Sequence, residues 1–398
     1  MKDYEVVEFK TEKETNEFFK KQEETDVWKK IYTNELECFP LEYNELNFFS
    51  PGGFQQETRY GKIVSDFAKD VSTDDIRSSM ETTKMCCVLP LNNQYQMYPL
   101  RYTAFPHIQE RAGITGRTIS GLKERTRAGE LPPITRAKIL NEGLKLYKDK
   151  TLVLIRDGKV TSLLSGDERD YQIMPCTALM ERLEDALLSY NYDFKSAYTS
   201  HEITCIDYEI IDDEILNKAN KLLKDNGINA SKVGIRIRLV TSDVGTRSAK
   251  LVPVMSFNNK SFPIGEPLCV EHKGSHCMER FSKTCEQVLS LFKHNISNME
   301  RLMKIEIKNP KETLLKLYEY LKLKGYNSSL REMCIRIEQE HTLSCSAYDL
   351  YWYLAEMLFD AEEKANANGK QFSLFQKINT QETISRVLKM DETDFYFL

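Results

Sequence analysis

The chain has 398 residues, of which 41% are apolar and 29% charged, and its net charge is −5. That leaves room for two or three domains and enough apolar material for a packed core, which excludes wholesale disorder. The negative balance also excludes a protein that coats nucleic acid over its whole surface.

No run approaches the roughly 20 apolar residues a spanning helix needs. The opening MKDYEVVEFKTEKETNEFF is charged throughout and lacks an apolar stretch of the secretory kind. Ten cysteines lie scattered at positions 38, 86, 87, 176, 205, 269, 277, 285, 334 and 345. Without a signal or a framework spacing, they predict reduced thiols, a cytoplasmic setting and no membrane partner. Charge is unevenly spread. Residues 1–60 carry a net −6, residues 101–150 a net +6 and residues 231–250 a net +4.

Residues 1–60 read as an acidic N-terminal accessory region. Lys10 to Tyr32 has helical periodicity through Phe18, Phe19, Val27, Trp28 and Ile31, and Pro51-Gly52-Gly53 breaks the chain. Residues 61–90 are ambiguous. Tyr102 to Tyr147 reads as short helices, with Pro106 in a first turn, Gly113 as an interruption and Pro132-Pro133 as a break. Two apolar runs, Thr151 to Ile155 and Val160 to Leu164, flank Asp157-Gly158, which is a strong hairpin signal. Pro175 to Tyr190 is an amphipathic helix. Ala197 to Ile210 reads as a strand and Asp212 to Asn226 as a helix with Gly227 as its cap. Gly234 to Thr241 alternates, Ile235, Ile237 and Leu239 against Arg236 and Arg238, and Lys250 to Phe257 returns as a second strand. From Met278 onward the chain is helical. Strands grouped between helices favour α+β, with a central antiparallel sheet, a helical lead-in and a helical tail. The domains expected are 1–60, a central 90–305 and a helical 306–398.

Three constellations could carry chemistry. His107 to Leu122 resembles a helix-turn-helix, with Gly113 at the turn and Arg117, Ser120 and Lys123 offered to a groove; Arg125 and Arg127 add to its charge. The plainer reading is two short helices packed on a core. Cys269, His272, His276 and Cys277, with Cys285 beyond, could supply three or four zinc ligands. The plainer reading is a loop leading into the helix at 278. Arg236 and Arg238 share one strand face, and Arg247 and Lys250 follow on the returning side. An open face of this kind binds phosphates of a single strand, with Tyr198 and Tyr208 near enough to stack bases, although a tyrosine on a strand is more often core. Packed against helix carboxylates, the same face is a structural ion-pair layer. A Walker A loop, a Gly-x-Gly-x-x-Gly turn, a Gly-x-Ser-x-Gly elbow and a His-Glu-x-x-His helix are all missing from the sequence.

Several segments together resemble a known family. They are Tyr102…Arg111-Ala-Gly-Ile114, Ala137…Ile139-Leu-Asn141, Thr151-Leu-Val-Leu-Ile-Arg-Asp-Gly-Lys-Val160, Ser165…Tyr171, Thr241-Ser-Asp-Val-Gly-Thr-Arg-Ser-Ala249…Pro253 and Glu271-His-Lys-Gly-Ser275. Over roughly residues 90–305 they resemble the phage/plasmid-like protein family, domain of unknown function 932. The chain departs from it in the acidic front, the long helical tail and the lack of a Cys-x-Asn run. The resemblance implies carriage on a phage, plasmid or integrated element, and no known reaction. In that family the 107–122 region is an ordinary helical lead-in. Single-strand annealing, with its ring-shaped homo-oligomers, is an analogy of fold.

The expectation is therefore a non-catalytic nucleic-acid-binding protein of a mobile element, without a cofactor, acting on DNA and single strands in particular. Its site would be Arg236, Arg238, Arg247 and Lys250, helped by Arg117, Lys123, Arg125 and Arg127. One alternative is a phage protein–protein module that occupies a host defence protein, using the acidic front and the helical tail. The other is a metal-dependent enzyme built on the 269–285 cluster, with zinc.

Overall fold

The computed structural model describes residues 3, 5–41, 56–58, 61, 63–64, 66–114, 119, 132–167, 170–225, 233–257, 260–341, 343–369 and 372–398. Helices and antiparallel strands segregate, so the protein is α+β. The front of the chain contributes β1 (Val7–Phe9), β2 (Val27–Tyr32), β3 (Glu37–Pro40), the short pair β4 (Gln56–Glu57) and β5 (Ile63–Val64), β6 (Met85–Leu91) and β7 (Gln94–Pro99). The middle contributes β8 (Lys150–Arg156), β9 (Lys159–Ser165), β10 (Tyr192–Thr199), β11 (Thr204–Ile210), β12 (Gly234–Thr241), β13 (Ala249–Phe257), β14 (Lys260–Pro263) and β15 (Leu268–Val270).

Among the described residues the largest sheet has seven strands, in the order β1-β10-β11-β12-β13-β14, with β15 also paired to β13. Two three-stranded sheets, β2-β8-β9 and β3-β6-β7, stand apart from it. The alternation of β12 decides how the large sheet is used. Ile235, Ile237 and Leu239, with Ile206 and Tyr208 of β11 and Leu251 and Met255 of β13, make an apolar face. Helices Cys176–Leu187, Asp213–Asp225 and Cys277–Met303 join the same core, the last through Phe281, Val288, Phe292 and Met299. Tyr208 is wholly buried in that core and donates to Glu184, so it is a packing residue and is not available to stack a base.

The opposite, polar face is covered by helix Leu374–Ile384. Ile378 of that helix sits on Ile203, Cys205, Val240, Val252 and Val254.

Two expected boundaries are corrected by the pairing. The described parts of residues 1–60 are not an accessory region, because β1 pairs with β10, β2 with β8 and β3 with β6. Helix Glu12–Thr25 ends at Asp26, and the helical stretch expected to run on to Tyr32 becomes β2. The tail after 306 is not separate either, because Leu314, Leu317, Ile337, Leu354 and Leu388 belong to the core of the large sheet. The single strand expected over 197–210 is two strands, β10 and β11, joined through 200–203. None of the described helices is long and apolar enough to cross a membrane.

A buried ion cluster ties the front of the chain to the β8–β9 hairpin. Arg101 lies 3.0 Å from Asp3 and Lys159 lies 3.2 Å from it, all three being nearly solvent-free. Burial opposes the charge on Asp3, but Arg101, the Ser78 hydroxyl and Lys159 outweigh it and hold the carboxyl below its usual range.

Candidate functional site

The period of β12 places Arg236 and Arg238 side by side on the polar face, yet their surroundings differ. Arg238 is 9% exposed. It stands opposite Asp207 of β11 and donates to both carboxylate oxygens, at 2.7 and 2.8 Å, and to Gln381 of the covering helix at 3.0 Å. Burial works against its charge, but Asp207 more than offsets this and the guanidinium stays protonated more firmly than usual. Arg247 and Lys250 both donate to the same Glu382 oxygen, each at 2.7 Å, and Arg247 lies over the Phe375 ring at 5.1 Å. The open arginine face is thus corrected. Helix Leu374–Ile384 lies across it, and Arg238, Arg247 and Lys250 are matched by carboxylates.

Arg236 has a different setting. It donates to the Ser261 hydroxyl at 3.3 Å, and its Nε is buried without a partner. It faces a groove of about 510 Å³ between the sheet and the covering helix. Tyr198 shares the lining with it, together with Phe359, Phe372 and Lys377. Tyr198 is half-buried and donates to Glu8 at 3.2 Å, while Lys377 is paired with Glu362 at 2.7 Å.

Arg117, Lys123, Arg125 and Arg127 lie outside the described residues. What is described nearby is helix Phe105–Arg111, then Gly113 at φ +71°. A side chain at Gly113 would collide with the Tyr147 ring, so glycine serves both the turn and the packing.

The Cys/His string is not gathered. Cys269 is exposed on β15, and Cys277 is buried in the first turn of helix Cys277–Met303. The His276 side chain is 79% exposed and lies 3.9 Å from Glu279. His272 is buried against the Tyr171 ring, centroids 5.2 Å apart and 8° from parallel. Among the described residues, no group of three His, Cys, Asp or Glu side chains could hold a metal ion. The four side chains stand in different environments, Cys269 and His276 exposed and His272 and Cys277 buried.

A second cleft, also of about 510 Å³, was missed by sequence reasoning. It is built where three separated stretches meet: Ser165 and Asp170-Tyr171, Gly245 to Ser248, and Glu271 to Lys273. Arg111 joins them from helix Phe105–Arg111. Beneath it, Arg156 binds Asp26 and Asp243, and Tyr171 donates to the Asp243 carbonyl at 3.2 Å. The parts were visible as segments of interest, but they lie up to about 160 residues apart in the chain. No spacing rule joins them.

No family model, no curated protein and no solved structure matches the chain.

Proposed function

We propose that the protein is a non-catalytic nucleic-acid-binding protein of a mobile element, and that the groove floored by Tyr198 and Arg236 takes a single strand. The observation that carries this reading is Arg236. Of the four cations expected on the face, it is the one that the structure leaves without a carboxylate. A cation beside aromatic rings suits a backbone phosphate with its base stacked alongside.

The groove also holds Glu8, Asp207 and Glu362. Such mixed charge suits one or two phosphates and not a long polyanion track, so log affinity should fall against log salt with a slope of only about −1. Fluorescence anisotropy with short single-stranded DNA, RNA and duplex tests this. Arg236→Ala should weaken single-strand binding by about tenfold, and Tyr198→Ser by a similar factor through lost stacking. Absence of binding to every nucleic acid at low salt would sink the proposal.

A second reading, a module that occupies a host protein, is favoured by the C-terminal aromatics. Tyr396 and Phe397 are 85% and 80% exposed, with ring centroids 5.7 Å apart. Capture of a partner from nuclease-treated lysate, lost with Tyr396→Ser/Phe397→Ser, would favour this reading over the first.

A further inference from the structure

We propose that the cleft formed by Ser165, Asp170 and Tyr171 with residues 245–248 and 271–273 is a binding site for a phosphomonoester of nucleotide size. It shares no lining residue with the strand-binding groove and does not rest on it.

The first argument is polar accounting. Buried polar groups are nearly always hydrogen-bonded, and each exception asks for a reason. Four buried nitrogens of the cleft's lining residues have no partner: Arg111 Nε, Arg247 Nε, Arg247 Nη2 and His272 Nε2. The Arg247 side chain is only 9% exposed, so its unused donors are not simply hydrated. Nε and Nη2 form the side of a guanidinium that meets two oxygens of a phosphate at once.

The second argument is the layout of charge. The inner cations, Arg111 and Arg247, are largely buried, whereas the acids Glu110 and Glu271 stand on the exposed rim. Exposed charges are screened by water and salt, and buried ones are not. Each inner cation already meets one carboxylate through Nη1, Arg111 with Asp149 at 3.4 Å and Arg247 with Glu382 at 2.7 Å, and what remains for an anion is Arg111 Nε with Arg247 Nε and Nη2.

The third argument is His272. Its Nδ1 lies 3.2 Å from the Gln172 carbonyl oxygen, which accepts, so Nδ1 carries the proton. Nε2 is then an acceptor. Burial lowers the affinity of His272 for a proton, which keeps the ring neutral. Two donors from one guanidinium and a neutral acceptor together fit an oxyanion that also bears a hydroxyl or N–H. A phosphate supplies the oxyanion, and either a protonated phosphate oxygen or the group esterified to it supplies the donor. The volume, about 510 Å³, matches a small-molecule site.

Isothermal titration of the full-length protein with inorganic phosphate, a nucleoside monophosphate and the unphosphorylated nucleoside tests the proposal. The nucleotide should bind with Kd below about 1 mM, phosphate more weakly, and the nucleoside not measurably. Arg247→Gln should weaken the nucleotide by at least about tenfold. Arg247 also holds Glu382, so Arg111→Gln serves as a second variant and should weaken it by about fivefold. Glu271→Gln, on the rim, should tighten it by about twofold. Arg236→Ala should leave it unchanged. The proposal is overturned if no phosphate compound binds saturably, if the nucleoside binds as well as the nucleotide, or if Arg236→Ala removes binding while Arg111→Gln does not.

Discussion

Arg236 and Arg238 stand two positions apart on one strand, and their neighbours give them different work. Arg238 and Asp207 are buried together, so Arg238→Ala leaves a carboxylate without its counterion and should cost about 3–5 kcal/mol in urea unfolding. Arg238→Met/Asp207→Leu should recover most of that loss, since a buried pair replaced by apolar groups of similar size is often neutral. Arg236→Ala should cost only about 1–2 kcal/mol, because one hydrogen bond to an uncharged hydroxyl is removed and no buried carboxylate loses its counterion. A large loss at Arg236 and a small one at Arg238 would reverse the assignment of structural and binding roles.

His107 acts on the same scale through pH. Burial in helix Phe105–Arg111 pushes its pKa down to about 4 from the ordinary 6.5, with Glu110 pulling it up and Arg111 pushing it down less strongly. The unfolded chain therefore takes up the proton first as pH falls. The stabilisation is complete above about pH 6.5, is lost between there and about pH 4, and is constant below. Since the ring is only partly buried, the amplitude should be about 2 kcal/mol. His107→Gln should flatten that segment of the stability–pH curve. Parallel curves for the two proteins would show that His107 does not titrate as stated.

Elements differ in how local their causes are. The β8–β9 turn is set by two residues: Asp157 and Gly158 both have positive φ, 50° and 65°, as a type I′ turn requires. A side chain at Gly158 would also press on the Asp70 carbonyl at 2.8 Å. Gly158→Ala should therefore cost about 2 kcal/mol, read as a lower thermal midpoint. This hairpin was legible because its signal lies within a dozen residues. The Asn92-Asn93 turn between β6 and β7 has the same positive-φ pair and was missed, in a stretch without clean alternation. Val27 to Tyr32 was misread as helix for another reason. Its own pattern is compatible with either state, and the ladder to β8, more than a hundred residues on, decides for strand. The polar sheet face illustrates the same limit. Alternation revealed that Arg236 and Arg238 share a side, while the covering helix with Gln381 and Glu382 lies about 140 residues away and could not be placed from spacing.

At the scale of the whole molecule, front and middle share sheets and the tail shares the core of the large sheet, so long-range pairs should control stability. Asp3 is the sharpest case, with Arg101 and Lys159 depending on its carboxylate. Asp3→Asn should cost about 3 kcal/mol and make the urea midpoint fall for the entire protein in one transition. A separate early transition, with the rest unaffected, would show that the front folds on its own. The pairing of β1 with β10 sets a further condition, which concerns time. Val7 meets Thr199, about 190 residues later in the chain. At a synthesis rate of roughly 5–20 residues per second, the first strand waits some 10–40 seconds for its partner. During that wait its edge is an invitation to any other strand. Glu5, Glu8 and Lys10 around it, within a segment of net −6, are the kind of charges that keep such an edge in solution until the ribosome has delivered the rest.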